Sequence, residues 1–453
     1  MSAEDTTLTE LEELRSYLAH LARFGMRLGL ERMEAILERL GHPERRYGVV
    51  HVAGTNGKGA TAAMAASIAR AAGLRTGLYV SPHLVRFNER IVVDGRPIAD
   101  AALLEAFEAT RRAVEAVGTD EPPTQFEFAT AMALWAFAQA DVELAVLEVG
   151  LGGRLDATNV VRHPEVCAIT ALGLDHTQVL GPTLASIASE KAGILKPGAD
   201  AVVASPPAEA AAVVAARASE VGAPLWEVAP VGNRPALPGA GTYRWEGRVA
   251  GLSGGRLDVV TPQGARLEGL WVGLVGSFQL YNAAVAVACA DRLRARGWRI
   301  DEAAIEAGLR QVRWPGRFHV LSTRPTVVVD GAHNPAAARA LAQSFVEVLG
   351  RLPRLLVIGM LAEKDVRGVL EALLSPGCTV VATRARSSRT EPMPPERMAQ
   401  LAMELGAGRA ECVEPPARAL ARALELAGPE DLVAVCGSLY LAGEILAEAG
   451  GVA

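Results

Sequence analysis

Lysine is nearly missing from this 453-residue chain: of 45 basic residues only Lys58, Lys191, Lys196 and Lys364 are lysine, and the other 41 are arginine. Surface charge is therefore met by arginine, and a surviving lysine can mark a place where a guanidinium cannot stand in for a compact amine able to lose its proton. Chance survival explains Lys196 and Lys364 equally well; it does not explain Lys58, which sits inside a glycine-rich turn. Cysteine is also sparse. Cys167, Cys289, Cys378, Cys412 and Cys436 are odd in number and scattered, with no C-x-x-C pair, which argues against a disulfide frame and a zinc site and for reduced thiols in a cytoplasmic protein. No apolar run approaches the roughly 18 residues that a membrane span needs, and the acidic opening MSAEDTTLTELEELR is unlike a secretory signal. A net charge of −6 disfavours broad nucleic-acid binding while leaving room for a local basic cleft that takes a small anion.

Half the residues are hydrophobic and 21% are charged, the profile of a folded protein, and 453 residues exceed one compact core. The most informative stretch is GVVHVAGTNGKGATAAMAASIARAAG, residues 48–73. A buried strand over Val49–Val52 leads through a glycine-rich turn holding Lys58 into an alanine-rich helix from Thr61. Such a turn offers backbone N–H groups and the positive end of a helix dipole, which together suit a phosphate. The spacing is not that of G-x-x-x-x-G-K-[ST], which would put glycine at Val52 and a hydroxyl at Gly59. Another residue must then supply the magnesium ligand that the missing hydroxyl gives elsewhere.

Residues 8–40 have helical periodicity, stopped by Gly41 and Pro43. Further on, GLRTGLYVSPHL, VELAVLEVGLGG and EVCAITALGLDHT read as short buried strands, and FEFATAMALWAFAQA reads as an apolar helix. Buried runs alternating with helices predict a mostly parallel, doubly wound sheet whose ligands sit beyond the carboxyl ends of the strands. Thr55–Lys58, Ser81, Glu148 and Asp175–His176 all fall at such ends. Residues 226–275 change to short segments punctuated by Gly, Pro and Trp, expected as a small added β portion. Pro315-Gly316 reads as a hinge, after which the α/β alternation restarts. The expected division is 1–312, a hinge at 313–318, and a smaller Rossmann-like α/β domain over 319–453.

A strand-end glutamate alone is more often solvated than metal-bound, and a lone histidine after a strand is more often a turn residue. Glu148 and His176 share one edge with the phosphate turn, which favours magnesium on Glu148. Lys191, in IASEKAGILKPG, would repel a cation there unless it carries nucleotide charge or has become an anionic carbamate, a modification closed to arginine.

At these residues the chain resembles a known family. YLAHLARFGMRLGLERMEAILERLG, HVAGTNGKG, SPHLVRFNERI, FEFATAMAL, LEVGLGGRLDATN, LDHTQVLGPTLASIASEKAGILK, WPGRFHV, DGAHNP and GSLYLAGE occur in that order and together look like folylpolyglutamate synthase, whose bacterial form is also dihydrofolate synthase, within the Mur ligase superfamily. The resemblance implies an ATP-dependent ligase that adds L-glutamate to tetrahydrofolate, and to dihydropteroate as well, through an acyl phosphate. It implies two magnesium sites drawn from Ser81, Glu148, His176 and a carbamylated Lys191, ATP as co-substrate, and admits a monovalent cation. It sets Thr55, Asn56, Gly57, Lys58, Gly59, Thr61, Asn282, Arg317 and Asp330 on the nucleotide, and Lys58, Glu148, His176 and Lys191 in catalysis. Arg86, Thr124 and Phe126 fall on the folate side, with core packing an equal account of Phe126. His333 and Ser438 fall on the glutamate side, while Asn334-Pro335 reads independently as a helix cap with a first-turn proline. The family usually has Ser or Thr after the K-G pair; this chain has Ala60, then Thr61, so contacts are expected to pass to the backbone and Thr61. The implied partners are small molecules only, with neither nucleic acid nor membrane, and the chain is expected to be a monomer. Another amino acid ligase of the superfamily, or a non-catalytic nucleotide-binding protein, is the alternative.

Overall fold

A computed structural model describes residues 3–25, 27–118, 121–388 and 390–450. The strands are β1 (Gly48–Ala53), β2 (Thr76–Tyr79), β3 (Ile91–Val93), β4 (Arg96–Pro97), β5 (Leu144–Glu148), β6 (Val166–Ile169), β7 (Asp200–Ala204), β8 (Leu225–Pro230), β9 (Gly241–Val249), β10 (Gly255–Val260), β11 (Arg266–Val272), β12 (His319–Thr323), β13 (Thr326–Val329), β14 (Leu355–Ile358), β15 (Thr379–Ala382), β16 (Arg409–Cys412) and β17 (Leu432–Cys436). The first eleven form one sheet in the order β11-β10-β9-β8-β7-β6-β1-β5-β2-β3-β4, and the rest a second sheet in the order β12-β13-β17-β14-β15-β16.

The centre of the first sheet, from β2 to β9, is parallel throughout. Its strands are short apolar runs because helices cover both faces. Val50 and Val52 of β1 pack on the helices Lys58–Ala71, Ser277–Ala295 and Glu302–Gln311. Val49, on the opposite face, joins a cluster with Leu14, Ile36, Phe107, Phe128 and Phe137. The alanines of Lys58–Ala71 have a steric purpose. They let Glu302–Gln311 come so close that a Cβ on Gly308 would lie 2.4 Å from the Ile68 Cα, while Ser67 Oγ donates to the Gly308 carbonyl at 2.8 Å.

The expected added β portion is present, as an extension of the first sheet. β8 and β9 continue the parallel order, and β9–β11 close that edge as an antiparallel meander with an irregularity between Leu257 and Val259. The second sheet is parallel apart from the antiparallel pair of β12 and β13. Thr326–Val329 pairs with Leu432–Val435, so the beginning and end of this half lie side by side. In the first sheet β1 lies between β5 and β6, and the chain reaches strands on both sides of it. That switch point opens a crevice beyond the strand ends, and the phosphate turn begins there.

Candidate functional site

The turn 54–57 leaves β1 and starts the helix Lys58–Ala71, with Gly57 at the cap in the left-handed region, φ +88°. A Cβ on Gly57 would strike Asn282 Oδ1 at 2.2 Å, so only glycine lets this turn seat against the helix Ser277–Ala295. Thr55 is pinned on both sides: its hydroxyl donates to the Gly173 carbonyl at 3.0 Å and accepts from the Gly173 amide at 3.1 Å. Lys58 folds back over its own turn, with Nζ 3.1 Å from the Gly54 carbonyl and 3.3 Å from that of Thr55.

Around this turn lies a cavity of about 370 Å³. Ser81, Glu148, His176 and Lys191 all line it, together with Thr55, Asn56, Gly57, Lys58 and Gly59, and with Asn282, Arg317, Asp330 and His333. Strands β2, β5 and β6 and the second half of the chain thus bring together side chains far apart in sequence. Glu148 ends β5 and is buried, with Oε2 accepting the Ser81 amide at 3.0 Å. Burial pushes its carboxyl up, opposed by Lys58, the Ser81 amide and Arg317. Lys191, also buried, donates to the Gly54 carbonyl at 2.8 Å. Burial and the charge of Lys58 bring its amine down to about 7. His176, at φ +50°, caps a single helical turn and remains substantially exposed; the burial it does have lowers its pKa.

Asp330 closes β13, its two oxygens accepting the Phe318 and Ala332 amides at 2.7 Å each. Beside it Arg317 lines the cavity from the connection between the two halves. The Nδ1–H of His333 donates to the Gly331 carbonyl at 2.9 Å, and burial lowers this imidazole to about 4, so it is neutral near pH 7.

A second cavity of about 820 Å³ shares Gly59, Ser81, Pro82, Glu148, Arg317 and Leu439 with the first. Arg86 lines it, already paired with Asp100 at 2.7 Å. Four of the expected site residues line neither cavity. Thr61 was expected to replace the missing hydroxyl, but it is fully buried, so its hydroxyl is closed off from a phosphate in the cavity. Thr124 caps the helix Gln125–Gln139 by accepting the Glu127 amide, and Ser438 caps Leu439–Glu448 by accepting that of Leu441. Phe126 packs against Tyr79, centroids 6.1 Å apart, and against Gly150.

Asp175, Asn334 and Lys364 were not assigned to the site from the sequence. Asp175, also lining the smaller cavity, accepts from Lys364 Nζ at 2.9 Å and from Asn334 Nδ2 at 3.1 Å, with His333 Nε2 3.8 Å away. Burial alone would raise this carboxyl, but His176, Lys364 and His333 hold it well below its ordinary range. Asn334 also donates to Asn56 Oδ1 at 3.2 Å while capping the helix Pro335–Leu349. The scarcity of lysine was the available signal for Lys364.

Among the described residues no three His, Cys, Asp or Glu side chains gather as a metal group. The donors here are one buried carboxylate, one hydroxyl, one imidazole and one amine. Such a sparse set suits magnesium, which takes one or two carboxylates and completes its shell with water and phosphate oxygens. The buried Glu148 carboxylate, with a single hydrogen bond to the described residues, supplies the negative charge that such an ion needs.

Residues 52–290 match the Mur ligase middle domain and residues 316–439 the Mur ligase, glutamate ligase domain. Probable bifunctional folylpolyglutamate synthase/dihydropteroate synthases of Halobacterium salinarum and Haloferax volcanii are 38% and 39% identical over 96% of this chain, which spans about half the length of each. The folylpolyglutamate synthase of Lacticaseibacillus casei is 34% identical, covering 96% of this chain and 97% of that protein. Among solved structures, Mycobacterium tuberculosis folylpolyglutamate synthase complexed with ADP and AMPPCP superposes with a TM-score of 0.87 at 32% identity, covering 98% and 99% of the two chains. Escherichia coli FolC in complex with DHPP and ADP superposes with a TM-score of 0.82 at 34% identity, over 96% and 97%.

Proposed function

The chain belongs to the Mur ligase family, in its folylpolyglutamate synthase branch, and from that premise we propose that it is an ATP-dependent ligase joining L-glutamate to tetrahydrofolate and to dihydropteroate. The observation that carries this reading is the convergence of the phosphate turn, Ser81, Glu148, His176 and Lys191 from one half with Arg317, Asp330 and His333 from the other, around a single cavity.

A carboxylate and an ammonium group do not condense in water at neutral pH, so the acid must first be activated. Its oxygen attacks the γ-phosphorus of ATP, ADP leaves, and an acyl phosphate forms; the glutamate amine then attacks the acyl carbon and phosphate departs. The backbone amides of 54–59 and the start of the helix Lys58–Ala71 suit the β- and γ-phosphates, with Lys58 swinging from its own carbonyls onto them. Transfer of this kind depends on positioning and on charge stabilisation. Arg317 serves the second need from the connection between the halves, while Asn282 and Asp330 orient the nucleotide. Magnesium held by Ser81, Glu148, His176 and a carbamate on Lys191 would neutralise charge on the transferred group and its bridging oxygens. An exposed acyl phosphate would hydrolyse, and walls from both halves exclude water from it. The larger cavity, meeting the smaller at Ser81 and Glu148, is where the acid substrate enters with its carboxylate foremost. His333, neutral beside Asp175, stands on the side from which glutamate approaches.

Incubation with ATP, magnesium, L-glutamate and either dihydropteroate or tetrahydrofolate tests the reading by product mass. A gain of one glutamyl residue, with phosphate release that needs both acid and amine, is expected. Phosphate release without amide product, or with a hydroxyl acceptor instead, would overturn it.

A further inference from the structure

The larger cavity extends well past the reacting end. Its floor is one face of the helix Lys58–Ala71: Gly59, Ala63, Ala66, Ser67 and Arg70 line it in steps that keep to a single helical face. Gly59 lies at the reacting end, where a Cβ would come 3.4 Å from both Glu148 carboxylate oxygens. Eleven residues further on, Arg70 lies about 16 Å away along the axis at 1.5 Å per residue. Its guanidinium rests on the turn between β3 and β4, where a Cβ on Gly95 would approach three of its atoms within 3.1 Å.

The acids on this wall are already engaged. Glu89 accepts the amides of Leu84, Val85 and Arg86, and Asp100 accepts from Arg86 and Asn88. Arg313, on the connection between the halves, donates only to the Gln311 and Val312 carbonyls among the described residues. The Arg70 side chain has no hydrogen-bond or ion-pair partner among them. Two cations therefore line this cavity, Arg70 at the end far from Glu148 and Arg313 on the connection between the halves, and neither has an anionic partner among the described residues.

We infer that Arg70 and Arg313 bind the α-carboxylates of γ-glutamyl residues already carried by the acid substrate, making this cavity a track for an acidic tail. The inference rests on the ligase reading above. A γ-linked glutamyl residue has two more chain carbons than an α-linked one and reaches roughly 6 Å, so about 16 Å corresponds to two or three of them. Arg70 is thus out of reach of a tail-less or monoglutamyl acceptor and meets a carboxylate on a triglutamyl one.

The test compares dihydropteroate, monoglutamyl and triglutamyl tetrahydrofolate as acceptors for the full chain and its Arg70→Ala, Arg70→Lys and Arg313→Ala variants. Arg70→Ala should raise KM for the triglutamyl acceptor about three- to tenfold with kcat little changed, as expected for a solvent-facing charge pair. It should leave the other two acceptors within about twofold, and Arg70→Lys should recover most of the loss. The wild-type KM for the triglutamyl acceptor should rise with salt, more weakly so in Arg70→Ala. Equal effects on all three acceptors, or on none, would overturn the inference. Should the wild type form no amide with any of the three acceptors, the ligase reading fails on its own account. Calorimetric binding of the triglutamyl compound then decides the track: tighter binding by wild type than by Arg70→Ala supports it, and equal binding overturns it.

Discussion

An amine reduced to 4% exposure, donating to the Gly54 carbonyl and facing the charge of Lys58, holds its proton weakly, and Lys191 is in that position. A neutral amine can add carbon dioxide and become a carbamate anion; a guanidinium cannot. Lys191→Arg keeps the charge and much of the bulk and removes that chemistry, so ligase activity should fall about 10²-fold or more. Rates near wild type, measured as ATP-dependent amide formation, would eliminate the carbamate. The same residue-scale reasoning separates Thr61 from Ser81. Both carry hydroxyl groups near the turn, but Thr61 is sealed in the core whereas Ser81 opens onto both cavities.

Between elements, two contacts set the shape of the first half. His51 on β1 is fully buried, its Nε2 2.7 Å from the Thr158 hydroxyl, which in turn donates to Asp156 at 2.6 Å. With its proton committed to Asp156, the threonine oxygen accepts from Nε2–H, so His51 is neutral with its Nδ1 unpartnered. Burial lowers this imidazole to about 3. The unfolded chain therefore binds one more proton than the folded chain between about pH 3 and the ordinary value near 6.5. Stability is retained above that window and lost as pH falls through it, by up to about 1.4 kcal/mol per pH unit from this group. Urea midpoints of wild type and His51→Gln across this range should converge on acidification; parallel curves would contradict the assignment. The helix pair at Gly308 makes a second case. Because the obstacle is Ile68 backbone and not a flexible side-chain end, Gly308→Ala should destabilise by about 1–3 kcal/mol, read as a lowered Tm. An unchanged Tm would mean that the helices separate without cost.

Across the molecule, the two sheets are joined at the cavity by polar groups. Asp175 from the first half holds Lys364 and Asn334 from the second, and the Asp175 and Lys364 side chains are each only 12% exposed. Salt screens such a sheltered pair less than an open one. A double-mutant cycle on the unfolding free energy with Asp175→Asn and Lys364→Met should give a coupling of about 1 kcal/mol or more. The single variants should also speed proteolytic cleavage of residues 312–318. Additive effects with unchanged cleavage would show that this pair does not hold the halves together.

Local pattern determined much of this protein. The apolar runs specified the buried parallel strands, the glycines specified the turn after β1, and Asn334-Pro335 specified a helix start, because each depends on backbone geometry and neighbours a few residues away. Ser81, Glu148 and Asp175–His176 were legible as strand-end residues for the same reason. Tertiary structure alone decided which of them meet. The sequence did not show that residues 226–275 extend the main sheet, since edge pairing is chosen by a partner strand and not by the strand itself. Nor did it show that Thr61 turns inward or that Lys364 reaches Asp175. Those outcomes depend on helix rotation and on contacts between halves more than a hundred residues apart, where packing of the whole chain sets the direction of each side chain.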